Sequence, residues 1–212
     1  MNPTPAELVY LDAALVVANK PAGLLSVPGR GPDKADCLSA RLQAIYPDAL
    51  IVHRLDMATS GLMLLARGIE AQRRMSAAFA ERRVAKTYTA VVDGLPADDA
   101  GEIDLPLIAD WPNRPRQKVD AVSGKPACTR WQVLSRDPIR GQTRLALQPL
   151  TGRSHQLRLH LSSIGHAILG DTLYASEAVA AAASRLLLHA SRLQFDHPAQ
   201  GAALDLACAA PF

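Results

Sequence analysis

Apolar runs and short polar clusters alternate along the first third of the chain in a way that marks out two strands and two helices. ALVVANK (14–20) reads as a strand ended by Pro21 and Gly23. Asp36 is placed to cap a helix running from Cys37 to Tyr46, where Pro47 stops it. Leu62 to Ala66 is continuously apolar, which fits a strand buried on both faces better than a solvated edge. After Gly68 the pattern changes period: Ala71, Met75, Ala78, Phe79 and Arg82 fall near helical spacing, predicting a helix to about Arg83 with its apolar stripe on the sheet.

The second half favours strands. Thr87 to Val92 alternates and is rich in Tyr, Thr and Val, so it reads as a strand with Tyr88 near its start. Ala127 to Leu134 and Thr143 to Pro149 read as strands joined by the turn DPIRGQ and should pair as a hairpin or meander. Arg153 to Ile164 is a predicted helix with Leu157, Leu161 and Ile164 on one face, His155 and Arg158 off its centre, and Gly165 just past its end. An Ala-rich helix from Ser176 to about Ser184 follows, and Leu187–Ala190, Leu193–Asp196 and Ala203–Ala207 close the sheet. Strands that run together, with helices interspersed without regular alternation, predict an α+β fold rather than a doubly wound parallel sheet. The 212 residues suffice for one large domain or two small ones, and the reading is a single domain over 1–212 without internal repeats.

Composition removes several function classes. No segment reaches the ~18 uninterrupted apolar residues of a membrane span, and MNPTPAELVY lacks the basic start and apolar middle of a leader, so a cytoplasmic protein is expected. Cys37, Cys128 and Cys208 fit neither a disulfide framework nor a zinc site, and His155 and His160 are five apart, which does not place two ligands on one helical face. No GxGxxG follows a strand, no P-loop is present, and Ser60 lies on no nucleophile elbow, so no cofactor and no metal are expected.

The net charge of +3 is modest, but its distribution is uneven. Arg67, Arg73, Arg74, Arg82, Arg83 and Lys86 fall within twenty residues, and Asp93, Asp98, Asp99, Glu102 and Asp104 form an acidic patch before the next cations. A solvated helix face explains a run such as Arg73-Arg74 equally well. WPNRPRQK (111–118) is more pointed. Two prolines stiffen it, Trp111 offers a stacking plane, and Arg114, Arg116 and Lys118 can meet phosphates, which suits an RNA-contacting loop.

Chemistry concentrates in HRLDMATSG (53–61), where Asp56 lies two residues from Arg54 and the stretch feeds the apolar run LMLLA. A loop-borne Asp beside an Arg often serves only as a cap or ion pair, yet a charged cluster entering a buried strand also marks functional pockets. The motif resembles the central motif of the RluA-type pseudouridine synthases. The resemblance extends in order through NKPAGLLSVPG (19–29), AKTYTAVVDG (85–94), LPLIADWPNRPRQKV (105–119), LTGRSHQLRLHLSSIGHAILGDTLYA (150–175) and LLLHA (186–190). It implies a mixed, mostly antiparallel sheet bisected by an RNA cleft, with the catalytic Asp on a loop in that cleft. It also implies an isomerase that turns uridine within RNA into pseudouridine without consuming a reagent.

Carried over residue by residue, the resemblance makes Asp56 the nucleophile, Arg158 the arginine that pairs with its carboxylate, and Tyr88 the ring that stacks on the target base. Without it, Arg158 reads as a helix-surface cation and Tyr88 as a packed strand tyrosine. Arg54 resembles the arginine that enters the duplex position vacated by the flipped base, and Leu187 or a neighbour would wall the pocket. Arg114, Arg116, Lys118, Trp111, Arg153 and His155 complete the expected RNA-contacting set. The motif begins at residue 53, so an N-terminal S4-like module is not expected. The chain is similar to the compact members of the family, which modify a uridine in the tRNA anticodon stem-loop and another in a large-subunit rRNA hairpin. A monomer is expected. Two other classes stay open: a non-catalytic RNA-binding protein on the same scaffold, and a glycosidase-like hydrolase, which would need a second carboxylate that the motif does not supply.

Overall fold

Eight residues, Ser60–Arg67, form strand β4, and its first seven are buried. It is the central strand of the first of two compact units in the computed structural model, which describes residues 7–31 and 34–212. The opening hexapeptide, part of the stretch read as lacking a leader, lies outside the described residues. The first unit runs through Lys86 and resumes from His189 to Pro211; the second comprises Thr87–Leu188 with Phe212.

In the first unit β1 (Glu7–Leu11) and β2 (Leu15–Lys20) form an antiparallel hairpin, and β2 pairs antiparallel with β4 from Leu15↔Ala66 to Lys20↔Gly61. The short strand β3 (Ala49–Ile51) also pairs antiparallel with β4. The last long strand, β11 (Leu188–Asp196), runs parallel to β4 at His189↔Ser60 and Ala190↔Gly61, then carries β12 (Ala203–Ala207) on its other part. One parallel contact among antiparallel ones makes the sheet mixed, as expected. Leu15, Val17, Leu62, Leu64 and Ala66 pack with Met75 and Ala78 of helix α2 (Ile69–Ala80) and with Leu193 and Phe195. Residues of the opposite parity, Val16, Ala18, Met63 and Leu65, are buried as well, so both faces of these strands are covered.

Helix α1 (Leu38–Gln43) ends short of the expected Tyr46 and differs from its reading at the cap too. Cys37, not Asp36, is the cap: its sulfur accepts from the Ala40 amide. Asp36 is drawn off by Arg41, which donates Nε and Nη2 to its two carboxylate oxygens at 2.7 and 2.6 Å. The two short terminal strands expected at 187–190 and 193–196 are one strand, because Arg192 turns outward and pairs with Asp205 on β12 while the ladder continues.

The long strands of the second unit pair antiparallel, though not in chain order. Strand β5 (Ala85–Asp93) enters it from Thr87, β10 (Gln142–Pro149) pairs with β5, β9 (Cys128–Asp137) with β10, and β6 (Ala100–Asp104) with β9. The expected hairpin is β9–β10, its turn held by Asp137, which accepts from the amides of Ile139 and Arg140. Strand β6 hid inside the acidic run; its Glu102 is neutralised across the ladder by Arg130 at 2.9 Å. Strands β7 (Leu107–Ala109) and β8 (Gln117–Val119) form a separate hairpin whose loop is the basic segment, with a 3-10 turn at Trp111–Asn113.

Helices α3 (Gln156–Ser163) and α4 (Glu177–Ala181) complete the unit, α4 capped by Ser176. Ile164, read as part of the apolar face of α3, is 38% exposed, whereas Gln156, Arg158 and His160 are buried. Each of these polar side chains has partners: Gln156 Nε2 donates to the Cys128 carbonyl and Thr129 Oγ1, and His160 bonds Thr129 and the Leu105 carbonyl. A face so satisfied can be buried without the desolvation cost that the apolar pattern assumed.

Candidate active site

The HRLD segment leaves β3, turns, and enters β4, and its main chain is tied down by residues far earlier in the sequence. Ser26 Oγ both donates to the Leu55 carbonyl, 2.6 Å, and receives the Leu55 amide, 3.0 Å. Lys20 is fully buried, and its ammonium donates to three carbonyls, those of Pro21 (2.9 Å), Leu24 (2.8 Å) and Met57 (3.1 Å). An ammonium carries three N–H groups, so this arrangement uses every one of them. The Gly23 amide also reaches the Met57 carbonyl, and the Thr59 amide closes a turn on the Asp56 carbonyl at 3.1 Å. The residues on either side of Asp56 are therefore clamped by hydrogen bonds to the backbone. The Asp56 side chain is half-buried, Arg54 exposed, and Met57 53% exposed.

At the entry to β4, Ser60 Oγ lies 2.8 Å from Nδ1 of the buried His189. Gly61 follows with φ 110°, and a Cβ there would run into the Ala190 backbone, so only glycine serves at this close strand-to-strand approach. His53 stacks on Phe79 with ring centroids 4.6 Å apart, and its Nε2 accepts the Leu64 amide. Burial, assisted by the Lys86 cation, pushes its pKa down to about 3, so the imidazole is neutral at pH 7. The charges of this motif are thus Arg54 and Asp56.

In the second unit the structure gathers several expected residues around one that sequence reading missed. Arg158 is only 4% exposed, which removes the surface-cation alternative. Its Nε and Nη2 donate to Asp171 at 2.7 and 2.6 Å, a bidentate pair. Burial works to raise the Asp171 pKa, but the Arg158 hydrogen bonds and charge and the amides of Leu173 and Tyr174 outweigh it and hold the carboxyl below its usual range. Tyr174 stands beside this pair, its ring 5.2 Å from the Arg158 guanidinium and 5.6 Å from that of Arg116. Its hydroxyl receives the Gln117 amide at 2.8 Å and lies 2.7 Å from His155 Nδ1.

The basic loop carries a preformed stack: the Arg114 guanidinium sits 3.3 Å from the Trp111 ring centroid, and Trp111 remains 64% exposed. Lys118 reaches Asp120 at 3.5 Å, a contact that solvent weakens. Arg153 is exposed and donates to the Pro126 carbonyl. Tyr88 is half-buried on β5 opposite Leu147. Leu187 is half-buried too, its backbone bridging Leu169 and Val91.

Thus the structure joins Arg158, His155 and Arg116 through Tyr174, and Arg114 with Trp111, within the second unit; Asp56 and Arg54 belong to the first. Lys20, Ser26, Asp171 and Tyr174 were not singled out from the sequence. Asp171 carried the clearest signal, as a lone carboxylate directly after the apolar HAILG, which demanded a buried cation. Among the described residues no group of three or more His, Cys, Asp or Glu is arranged to hold a metal, and no helix is long and apolar enough to cross a membrane.

Comparison with known proteins gives concordant results. Residues 14–163 match a family model described as RNA pseudouridylate synthase. The chain is 52% identical to the dual-specificity RNA pseudouridine synthase RluA of Yersinia pestis, over 97% of this chain and 99% of that protein. It is 48% identical to the protein of the same name from Escherichia coli strain K12, covering 97% and 93% of the two chains. Among solved structures, human RNA pseudouridylate synthase domain containing 1 superposes with a TM-score of 0.81 at 27% identity, covering all of this chain and 87% of that one. Human RNA pseudouridylate synthase domain containing 4 gives 0.78 at 28% identity, covering 97% and 88%.

Proposed function

The chain belongs to the RNA pseudouridylate synthase family, an isomerase acting on uridine in RNA, and from that premise we propose that Asp56 is its nucleophile. The observation that carries this reading is the clamped HRLD turn: Lys20 and Ser26 fix the main chain on both sides of Asp56, which is how a reacting group is held in place. Arg158 is the cation assigned to the nucleophile, Tyr88 the ring that stacks on the target base, and Leu187 the apolar wall of the pocket. Arg54 takes the place of the flipped nucleotide in the RNA.

The reaction breaks the N1–C1′ glycosidic bond, rotates the uracil, forms C5–C1′, and moves the C5 proton away as N1 regains one. Attack on ribose, attack on the base, and abstraction of a ribose proton all use an ionised Asp56. The uridine must leave its stack first, at a cost of a few kcal/mol that base stacking and phosphate contacts offset. Trp111, Arg114, Arg116, Lys118, Arg153 and His155 supply those contacts.

Two relatives bear the words dual-specificity in their names. For this chain the proposed substrates are a tRNA anticodon stem-loop and a large-subunit rRNA hairpin, recognised by the shape of a shared folded loop. The working unit is a monomer, acting in the cytoplasm as one functional domain without a cofactor. Incubating wild type and Asp56→Ala with unmodified transcripts of both RNAs, tritiated at uridine C5, tests the proposal. Tritium release by wild type alone, mapped to one loop uridine in each, supports it. Release by Asp56→Ala at the wild-type rate sinks the assignment.

A further inference from the structure

Tyr174 ties together several elements of the second unit. Its amide donates to Asp171 Oδ1 at 3.1 Å, and its carbonyl accepts from Ser162 Oγ on α3 at 2.7 Å. Its ring lies against the guanidinium of Arg158, within the range where a cation is attracted to an aromatic face. Its hydroxyl holds a backbone amide of the basic loop, that of Gln117, and a ring nitrogen of His155. Tyr174 thus touches both the loop and the buried arginine.

The loop it holds is internally braced, so one anchor governs all of it. The Asn113 amide bonds the Asp110 carbonyl, the Arg116 amide the Asn113 carbonyl, and the Asp110 amide the Arg116 carbonyl, each at 3.0 Å. The Trp111–Arg114 stack rides on this closed ring of bonds. At the other end, His155 precedes α3 with φ 55°, in the left-handed region that costs energy for a residue with a Cβ. Its bond to the tyrosine hydroxyl and the edge-on packing of the two rings, 5.6 Å and 76°, hold that conformation in place. Arg158 is three residues farther along the same chain.

We propose that Tyr174 is a positioning residue that locks the RNA-contacting loop to the helix bearing Arg158, its hydroxyl setting the loop and its ring setting the arginine. The proposal rests on the roles given above to Arg158 and to the 111–118 segment. The two halves of the side chain should therefore separate kinetically. Tyr174→Phe keeps the ring and loses the hydroxyl; Tyr174→Leu loses both.

The test measures steady-state conversion of the anticodon stem-loop transcript, with thermal unfolding of each variant alongside. For Tyr174→Phe the expected result is a KM raised about tenfold with kcat changed less than about threefold, the pattern of lost uniform binding. For Tyr174→Leu a similar rise in KM should come with a kcat lowered about tenfold or more. A purely structural tyrosine would give the opposite: both variants less stable, with fewer active molecules and an unchanged KM. That result overturns the proposal. Should Tyr174→Leu not fold, Tyr174→Met replaces it, a flexible side chain of similar bulk that has neither ring nor hydroxyl. It should show the same rise in KM and the same fall in kcat, and a kcat equal to that of Tyr174→Phe would contradict the role given to the ring. Asp56→Asn serves as control. If it still forms pseudouridine, the catalytic reading has failed; if it is inactive while Tyr174→Phe keeps its KM, only the positioning role has failed.

Discussion

The HRLD turn and the basic loop at 110–118 are both arginine-bearing loops at strand ends, yet they are held by different means. The first is clamped by side chains from earlier in the chain: a buried Lys20 spends its ammonium on three carbonyls, and Ser26 takes both the amide and the carbonyl of Leu55. The second is braced by its own backbone bonds and held from behind by Tyr174, which contacts the Arg158–Asp171 pair, and it exposes an aromatic plane and cations to solvent. A loop that must present one reacting group is best clamped along its backbone, so that nothing else varies. A loop that must meet a large charged surface keeps its side chains outward and borrows rigidity from a single anchor behind it.

Breaking the charged support should cost most. Arg158→Met leaves Asp171 buried without its cation, which should destabilise the protein by about 3–5 kcal/mol. Replacing both partners, Arg158→Met with Asp171→Asn, whose Oδ1 still accepts the Leu173 and Tyr174 amides, should restore much of that stability in urea unfolding without restoring pseudouridine formation. Recovery of activity with stability would mean that Arg158 has only a structural task.

Breaking the backbone clamp comes next. Lys20→Met removes three hydrogen bonds, of which only the one to the Met57 carbonyl is backed up, by the Gly23 amide; at about 1 kcal/mol or more per lost bond, a loss of ~3 kcal/mol is expected. In the protein that remains folded, kcat should drop while the RNA dissociation constant stays at its wild-type value. An equal change in both would erase the contrast between the two loops.

The pH response sharpens the comparison further. His53, beside the nucleophile turn, has its folded pKa pushed to about 3 by burial and the Lys86 cation, and burial also lowers that of His160, opposed by its bond to the Leu105 carbonyl. The unfolded chain therefore binds more protons than the native one below about pH 6.5, and stability must fall with pH from there toward pH 3. The slope for one such group is at most ~1.4 kcal/mol per pH unit. Two carboxyls are held below their usual range, Asp171 as above and Asp12, where burial works to raise the pKa but the amides of Ala14 and Leu15 and the Tyr10 hydroxyl outweigh it; the stability they contribute is lost only as the pH falls below the ordinary carboxyl range toward their folded values. Urea midpoints at pH 7, 6 and 5 thus isolate the histidines, and His53→Gln should flatten the curve.

The smallest effect belongs to a residue in neither loop. Arg82, just past α2, adopts φ 60°, a conformation that glycine takes without strain. Arg82→Gly should raise stability by about 0.5–1 kcal/mol, read as a higher melting temperature, with kcat and KM unchanged.

How much of this was legible in the sequence differs between the two loops. The strand that the first loop enters was readable because Leu62–Ala66 is continuously apolar, whereas the short hairpin β7–β8 that carries the second was not read as strands; both loops were readable because HRLD and WPNRPRQK stand out chemically. Their supports were not. Lys20 reads as the polar end of a strand, and only the folded chain shows that its ammonium is enclosed. The buried face of α3 was misread toward Ile164, since hydrophobic periodicity has no term for Gln156, Arg158 and His160 each finding partners on another element. Asp36 looked like the cap of α1, but a bidentate arginine five residues on competes more strongly for a carboxylate than one backbone amide does. Long-range pairing, in each case, decided what local pattern could not.

The central claim is that chemistry resides in the HRLD turn and substrate reading in the basic loop. Single-turnover pseudouridine formation at saturating RNA, paired with RNA affinity for the same proteins, tests it most directly on Asp56→Asn and on the double variant Trp111→Ala with Arg114→Ala. The expected result is no detectable turnover with near wild-type affinity for Asp56→Asn. The double variant should keep its maximal rate and bind roughly tenfold or more weakly, the loss expected of a missing stacking plane. A double variant that binds normally but has lost its maximal rate, or an Asp56→Asn protein that still converts uridine, would contradict the account.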